Sequence, residues 1–138
     1  MSRFAVWGKE SGCEADLVLP LTARGLQEGP LEVISSSTVY RTNAGARASF
    51  AYAAHRLVPV DYAESPLAFS LADGAREWVR QGTSRVGTML VYFLLWRDRN
   101  INASILVVGR VGVVSAASLE PLAEPQERRI RSALVAVR

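Results

Sequence analysis

Two long apolar runs, Thr88–Trp96 and Ala103–Ala117, separated by the polar stretch Arg97–Asn102, constrain this chain more than any other feature. A transmembrane helix needs roughly 20 uninterrupted apolar residues. Here Arg97, Asp98 and Arg99 stand between the two runs, so the reading as one membrane span fails. Val, Ile, Tyr, Phe and Trp dominate both runs, which are therefore read as strands of a hairpin. Both are apolar at successive positions, so protein should cover both faces, either from the same chain or from a neighbouring subunit. Gly109 and Gly112 inside the second run mark a bulge or a close approach of backbone.

The 138 residues make one domain, 1–138, large enough to bury about two-thirds of its unfolded surface without cross-links. The lone Cys13 has no partner for an internal disulfide, which fits a reducing compartment or a fold indifferent to redox. The first twenty residues lack a basic-then-apolar leader pattern, because Glu10, Glu14 and Asp16 follow one another closely; a protein that is not secreted is expected. Fifteen arginines and one lysine against thirteen acids give a net charge of +3, dispersed along the chain. A nucleic-acid binder needs its cations on one face. The densest groups, Arg128, Arg129 and Arg131 near the C-terminus and Arg97 and Arg99 in the polar turn, are the candidates. Their default reading is a solvated surface.

Ahead of the hairpin, Phe4–Trp7 is a short apolar run and Lys9–Cys13 reads as a loop. Ala15–Leu21, with Pro20, suits an edge strand or an irregular extended segment. Leu31–Tyr40 reads as a strand with one wet face, after which Arg41–Gly45 is a turn. Ala46–Tyr62 places Phe50, Tyr52 and Ala54 at a period of two, which predicts one bent strand or two. Leu67, Phe69 and Leu71 alternate as a strand, followed by a short helix at about 73–81 anchored by Trp78 and stopped by Gly82. The end of the chain predicts a helix over 125–137 with Pro125 at its start and Ile130 and Leu134 as its apolar stripe; a terminal strand over 132–137 is the alternative. Eight or so short extended segments point to an all-β, single-domain antiparallel sandwich or barrel with one or two short helices.

Residues for chemistry are few. A nucleophile needs a base beside it, and the sole His55 lies between alanines and Arg56. Cys13 has acids around it, whereas a reactive thiolate needs cations. Metal sites need several His or Cys ligands in short spacing, and one of each is present. Gly109-Arg110-Val111-Gly112 has neither phosphate-loop spacing. No catalytic, cofactor-binding or metal-ligating set is expected, and no cofactor. Nearly half the residues are hydrophobic, which predicts self-association to cover the excess.

The segments Ser65–Leu71, Thr88–Trp96 and Ala103–Val114 resemble the closing strands of small single jelly-roll coat proteins of plant RNA viruses, of the tymovirus-like and satellite-virus kind. The last of them has a serine near its start, an apolar run and a glycine midway. The resemblance spans about sixty residues and is one of pattern. It implies a jelly-roll-like capsid subunit that assembles into a closed symmetric homo-oligomer around single-stranded RNA, in the virion or the host cytoplasm, without a membrane. Arg128, Arg129 and Arg131 would then face the RNA. The competing expectation is a cytoplasmic β-barrel module that binds a ligand or nucleic acid as monomer or dimer, with Arg97, Arg99 and Arg110 as contacts.

Overall fold

A computed structural model describes residues 3–18 and 29–136. A single helical turn, α1 (Arg3–Val6), leads into β1 (Lys9–Val18). Then follow β2 (Glu32–Tyr40), α2 (Asn43–Tyr52) continued by a wider π turn over Ala53–Leu57, and the short β3 (Ala63–Ser65). Three long strands come next, β4 (Gly74–Ser84), β5 (Gly87–Asp98) and β6 (Ile101–Arg110), and α3 (Glu120–Ala136) closes the chain. The strands form one six-stranded sheet in the order β1-β2-β6-β5-β4-β3. Every pairing is antiparallel.

The expected hairpin is the centre of this sheet. Met89–Asp98 pairs with Ile101–Arg110, and the turn is tighter than the polar stretch suggested: Arg99, with a left-handed φ of 53°, and Asn100 make it alone. The apolar run after residue 110 does not continue as strand. It turns through Gly112 and Val113 so that Val114 packs back on Gly109, where an added Cβ would lie 2.4 Å from a Val114 methyl. A side chain there has no room, which accounts for the glycine.

Both faces of the hairpin are covered, each by a helix. Residues 101, 103, 105 and 107 of β6 and 94 and 96 of β5 face α3, whose Leu119, Ala123 and Ile130 complete the main core. The intervening positions face α2, where Phe50, Ala53 and Ala54 pack on Trp78, Phe93 and Leu95. Burying a large apolar side chain stabilises by about 1.5–3 kcal/mol, so these two layers carry the fold.

Five expectations need correction. The protein is mostly β and antiparallel, but the sheet is open and single, not closed into a barrel. Most of Ala46–Tyr62, expected as one bent strand or two, is helical, in a helix that begins at Asn43 within the expected turn and runs to Leu57: Thr42 caps it by accepting from the Gly45 amide, and positions 46, 49, 50, 53 and 54 line one helical face. Gly45 is required there because a Cβ would fall 2.0 Å from the Trp7 carbonyl oxygen. Residues 73–81, expected as a helix, lie in β4, where Trp78 sits opposite Phe93 and the two rings stack at 5.8 Å. Leu67, Phe69 and Leu71 do alternate inward, but as an unpaired strap across the α3 face. The C-terminal helix is right in kind and starts earlier, at Glu120, so that Pro121 occupies its first turn and Pro125 lies inside. Residue 137 is outside the described residues.

Candidate functional site

The two arginine groups singled out in the sequence come together at one corner. The β5–β6 turn lies beneath α3, and Asp98 at the end of β5 meets Arg99 Nε at 3.3 Å and Arg131 Nε at 3.7 Å. Arg131 Nε also donates to Glu127 Oε1 at 2.9 Å, Arg97 reaches Asp73 at 3.3 Å, and Arg128 reaches Glu124 at 3.8 Å. Four arginines are thus set against four carboxylates. Counterion release needs uncompensated cations, and this corner offers few. Arg129, the fifth candidate, is on the other flank of α3, at a groove described below.

Glu127 is the unusual member. It lies on the buried face of α3 and accepts from Trp96 Nε1 at 2.8 Å. Burial pushes its carboxyl above the ordinary range, and contact with Asp98 pushes it further, while the Trp96 and Arg131 donors oppose the rise. Serving as acceptor for a buried indole, Glu127 anchors α3 to the sheet.

Glu77 is a second buried acid. It is on the α3 face of β4 between Ser65 and Leu94, is 0% exposed, and neither carboxyl oxygen completes a hydrogen bond. Burial raises its pKa, against which the Ser65 hydroxyl acts weakly. A neutral carboxyl fits such surroundings. A depression of about 450 Å³ is lined by Glu64, Pro66 and Arg76 together with Glu77 itself, which at 0% exposure is closed to solvent.

The other end of the sheet is built differently. All ten residues of β1 are exposed, including Leu17 at 61% and Val18 at 65%. Among the described residues β1 pairs only with β2 and has no strand on its outer side. Helix α3 lies over the sheet centre and leaves a groove of about 450 Å³ along the β1–β2 ribbon, floored by Ala15, Val39, Ile101, Ile130 and Ala133, with Cys13 and Arg129 at its mouth. Gln126 bridges helix and ribbon, accepting from Ser35 Oγ at 2.7 Å and donating to the Ser36 carbonyl at 2.9 Å. The sequence hinted at this edge through Pro20, but the strand starts at Lys9, where a loop was expected, and residues 19–21 lie outside the described residues.

Among the described residues no three His, Cys, Asp or Glu side chains come together to hold a metal, and no helix is long and apolar enough to cross a membrane. His55 is exposed at the end of the α2 region, and Cys13 is exposed with its thiol 3.2 Å from the Ser37 hydroxyl. The Cys13 thiol meets a hydroxyl and not a base, whereas His55 lies near enough to Glu64 to help hold that carboxyl below its ordinary range. Comparison with known proteins returned no match to any family model, curated protein or solved structure.

Proposed function

We propose that this protein is a non-enzymatic interaction module that works by strand addition, taking an extended segment of another chain onto the outer edge of β1. One observation carries the reading: β1 offers ten exposed residues at an open sheet edge, beside an apolar groove. Sheet proteins blunt their edges with very short strands, prolines, bulges, charged side chains or a covering loop, because an open edge pairs with whatever strand it meets. β1 has a bulge at Lys9–Ser11 and the charges of Glu14 and Asp16, which select among strands, but from Ser11 to Val18 its register is regular. The opposite edge carries such a device in the three-residue β3. A long edge left open is the arrangement used in strand addition, where main-chain hydrogen bonds give affinity and alternate side chains give selectivity. The test is selection of ten-residue peptides on the immobilised protein. Peptides taken up as strands lose binding when alternate amides along one edge are N-methylated; selected peptides indifferent to N-methylation would sink the reading.

A second reading is assembly of many copies into a closed shell around RNA, the form implied by the coat-protein resemblance. The exposed Leu57, Val60 and Val111, away from β1, favour it by offering apolar contacts between copies. Light scattering with absorbance at 260 and 280 nm separates the two. A megadalton species rich in 260 nm absorbance supports the shell; a clean species near 15.0 kDa rules it out.

A further inference from the structure

Strand addition at β1 leaves open what kind of strand fits, and the charges on either side of the edge bear on that. Register decides which residues share a face. Glu14 lies opposite Ser36, Asp16 opposite Ile34, and Val18 opposite Glu32. Ser36 in turn bonds Ser104, and Thr38 lies opposite Asn102, whose side chain reaches α2 at the Ala46 carbonyl. Glu14, Asp16 and Glu32 therefore stand together on the α2 side of the β1–β2 ribbon, with Lys9 beside Gly12 at the start of β1 as the one cation on that face of the strand. Cys13, Ala15 and Leu17 point to the α3 side, over the groove that Arg129 borders.

We infer that the strand received by β1 is amphipathic, with arginine or lysine at alternate positions on the α2 side and large apolar residues on the α3 side. This rests on strand addition at β1 being the protein's mode of action. A partner strand places its side chains about 4.5–5.5 Å from those of β1. Cations on the α2 side then meet Glu14 and Asp16, and opposite charges across a pair stabilise by roughly 0.2–1 kcal/mol each while like charges destabilise. On the other side Cys13 and Ala15 are too small to fill the space beside them. A leucine-sized residue from the partner leans over Ala15 into the groove, and Arg129 at its mouth disfavours a cation there. The net charge of +3 does not overrule this local pattern, because screening limits charge effects to about 8 Å at physiological salt.

The same geometry argues against β1 of a second copy as the occupant. Two copies related by a twofold axis through the sheet must pair even positions with even. Registers centred on residues 13 to 16 set Glu14 or Asp16 of one copy directly opposite, or within two residues of, those of the other, and one centred on Gly12 sets Glu14 opposite Glu10. Four carboxylates would crowd one face.

The experiment uses the full chain and three ten-residue probes: alternating Arg and Leu, alternating Glu and Leu, and the Arg–Leu peptide N-methylated at alternate residues. Binding is followed by fluorescence anisotropy at 50 and 300 mM salt, with wild type and the double variant Glu14→Lys, Asp16→Lys. The expected result is that wild type prefers the Arg–Leu peptide at least tenfold, that N-methylation abolishes binding, and that the variant reverses the preference. Equal binding of the Arg and Glu peptides, both blocked by N-methylation, overturns the inference and leaves strand addition standing. Binding of the Arg–Leu peptide regardless of N-methylation, or binding of neither peptide, overturns strand addition itself. Circular dichroism of the double variant checks that its exposed substitutions leave the fold intact.

Discussion

The two edges of one sheet carry opposite solutions to the same problem. At one edge β3 covers only Glu77–Val79 of β4, yet it is tied down: Arg76 grips Glu64 with two bonds of 2.8 and 2.7 Å, which holds the Glu64 carboxyl below its ordinary range, and Arg80 reaches Asp61 at 3.3 Å. The strap Pro66–Leu71 then folds its alternate residues onto the α3 face. At the other edge β1 is three times as long, exposed throughout and without a neighbour on its outer side among the described residues. One end of the sheet is a short strand tied down by ion pairs; the other is a long exposed strand, which the proposed strand addition would use.

The contrast predicts a gradient of mutational effects from the sheet centre outward. Trp96 is fully buried at the centre and bonds Glu127. Trp96→Ala should cost about 3–5 kcal/mol, read from urea unfolding, and a loss below 1 kcal/mol would deny that the hairpin and α3 form the core. Glu77, on the closed side, gives a pH signature. Its folded pKa lies above the ordinary 4.5, so the unfolded state ionises first and stability falls as pH rises from there towards the folded pKa. Glu77→Gln should match wild type in acid and exceed it above that window, by on the order of 1–3 kcal/mol. Parallel pH profiles would contradict a buried, unpartnered carboxyl. Gln126→Ala, between α3 and the ribbon of the open side, loses two hydrogen bonds and should cost about 1 kcal/mol. At the edge itself Leu17→Ser should change stability by no more than about 0.5 kcal/mol, yet weaken strand binding; a large loss of stability would mean that the edge is packed in solution.

How much of this was legible in the sequence follows from which signals are local. The hairpin was, because two apolar runs flanking Arg97–Asn102 have no other economical arrangement. Its coverage on both faces was legible too, since neither run alternates. Ala46–Tyr62 was misread because Phe50, Tyr52 and Ala54 mimic a strand period, while the helical face is made of residues as small as Ala46 and Ser49, which carry no hydrophobic signal. Asp73–Gln81 was misread in the opposite sense: Ala, Arg, Glu and Gln favour helix, and pairing with β5 overrode that preference. Short extended segments cannot say whether they stack as two sheets or lie in one, because that depends on which faces the helices take. The arginines could be seen as groups, but not their partners: Arg131 meets Asp98 thirty-three residues away, and only the fold reveals that acids neutralise them.

The most direct test of the open edge is hydrogen exchange on the full chain, with and without saturating Arg–Leu peptide. The account predicts that amides in Glu10–Val18 gain protection while those of Ala63–Ser65 do not change. Protection gained around β3, or none at β1 despite bound peptide, would contradict it.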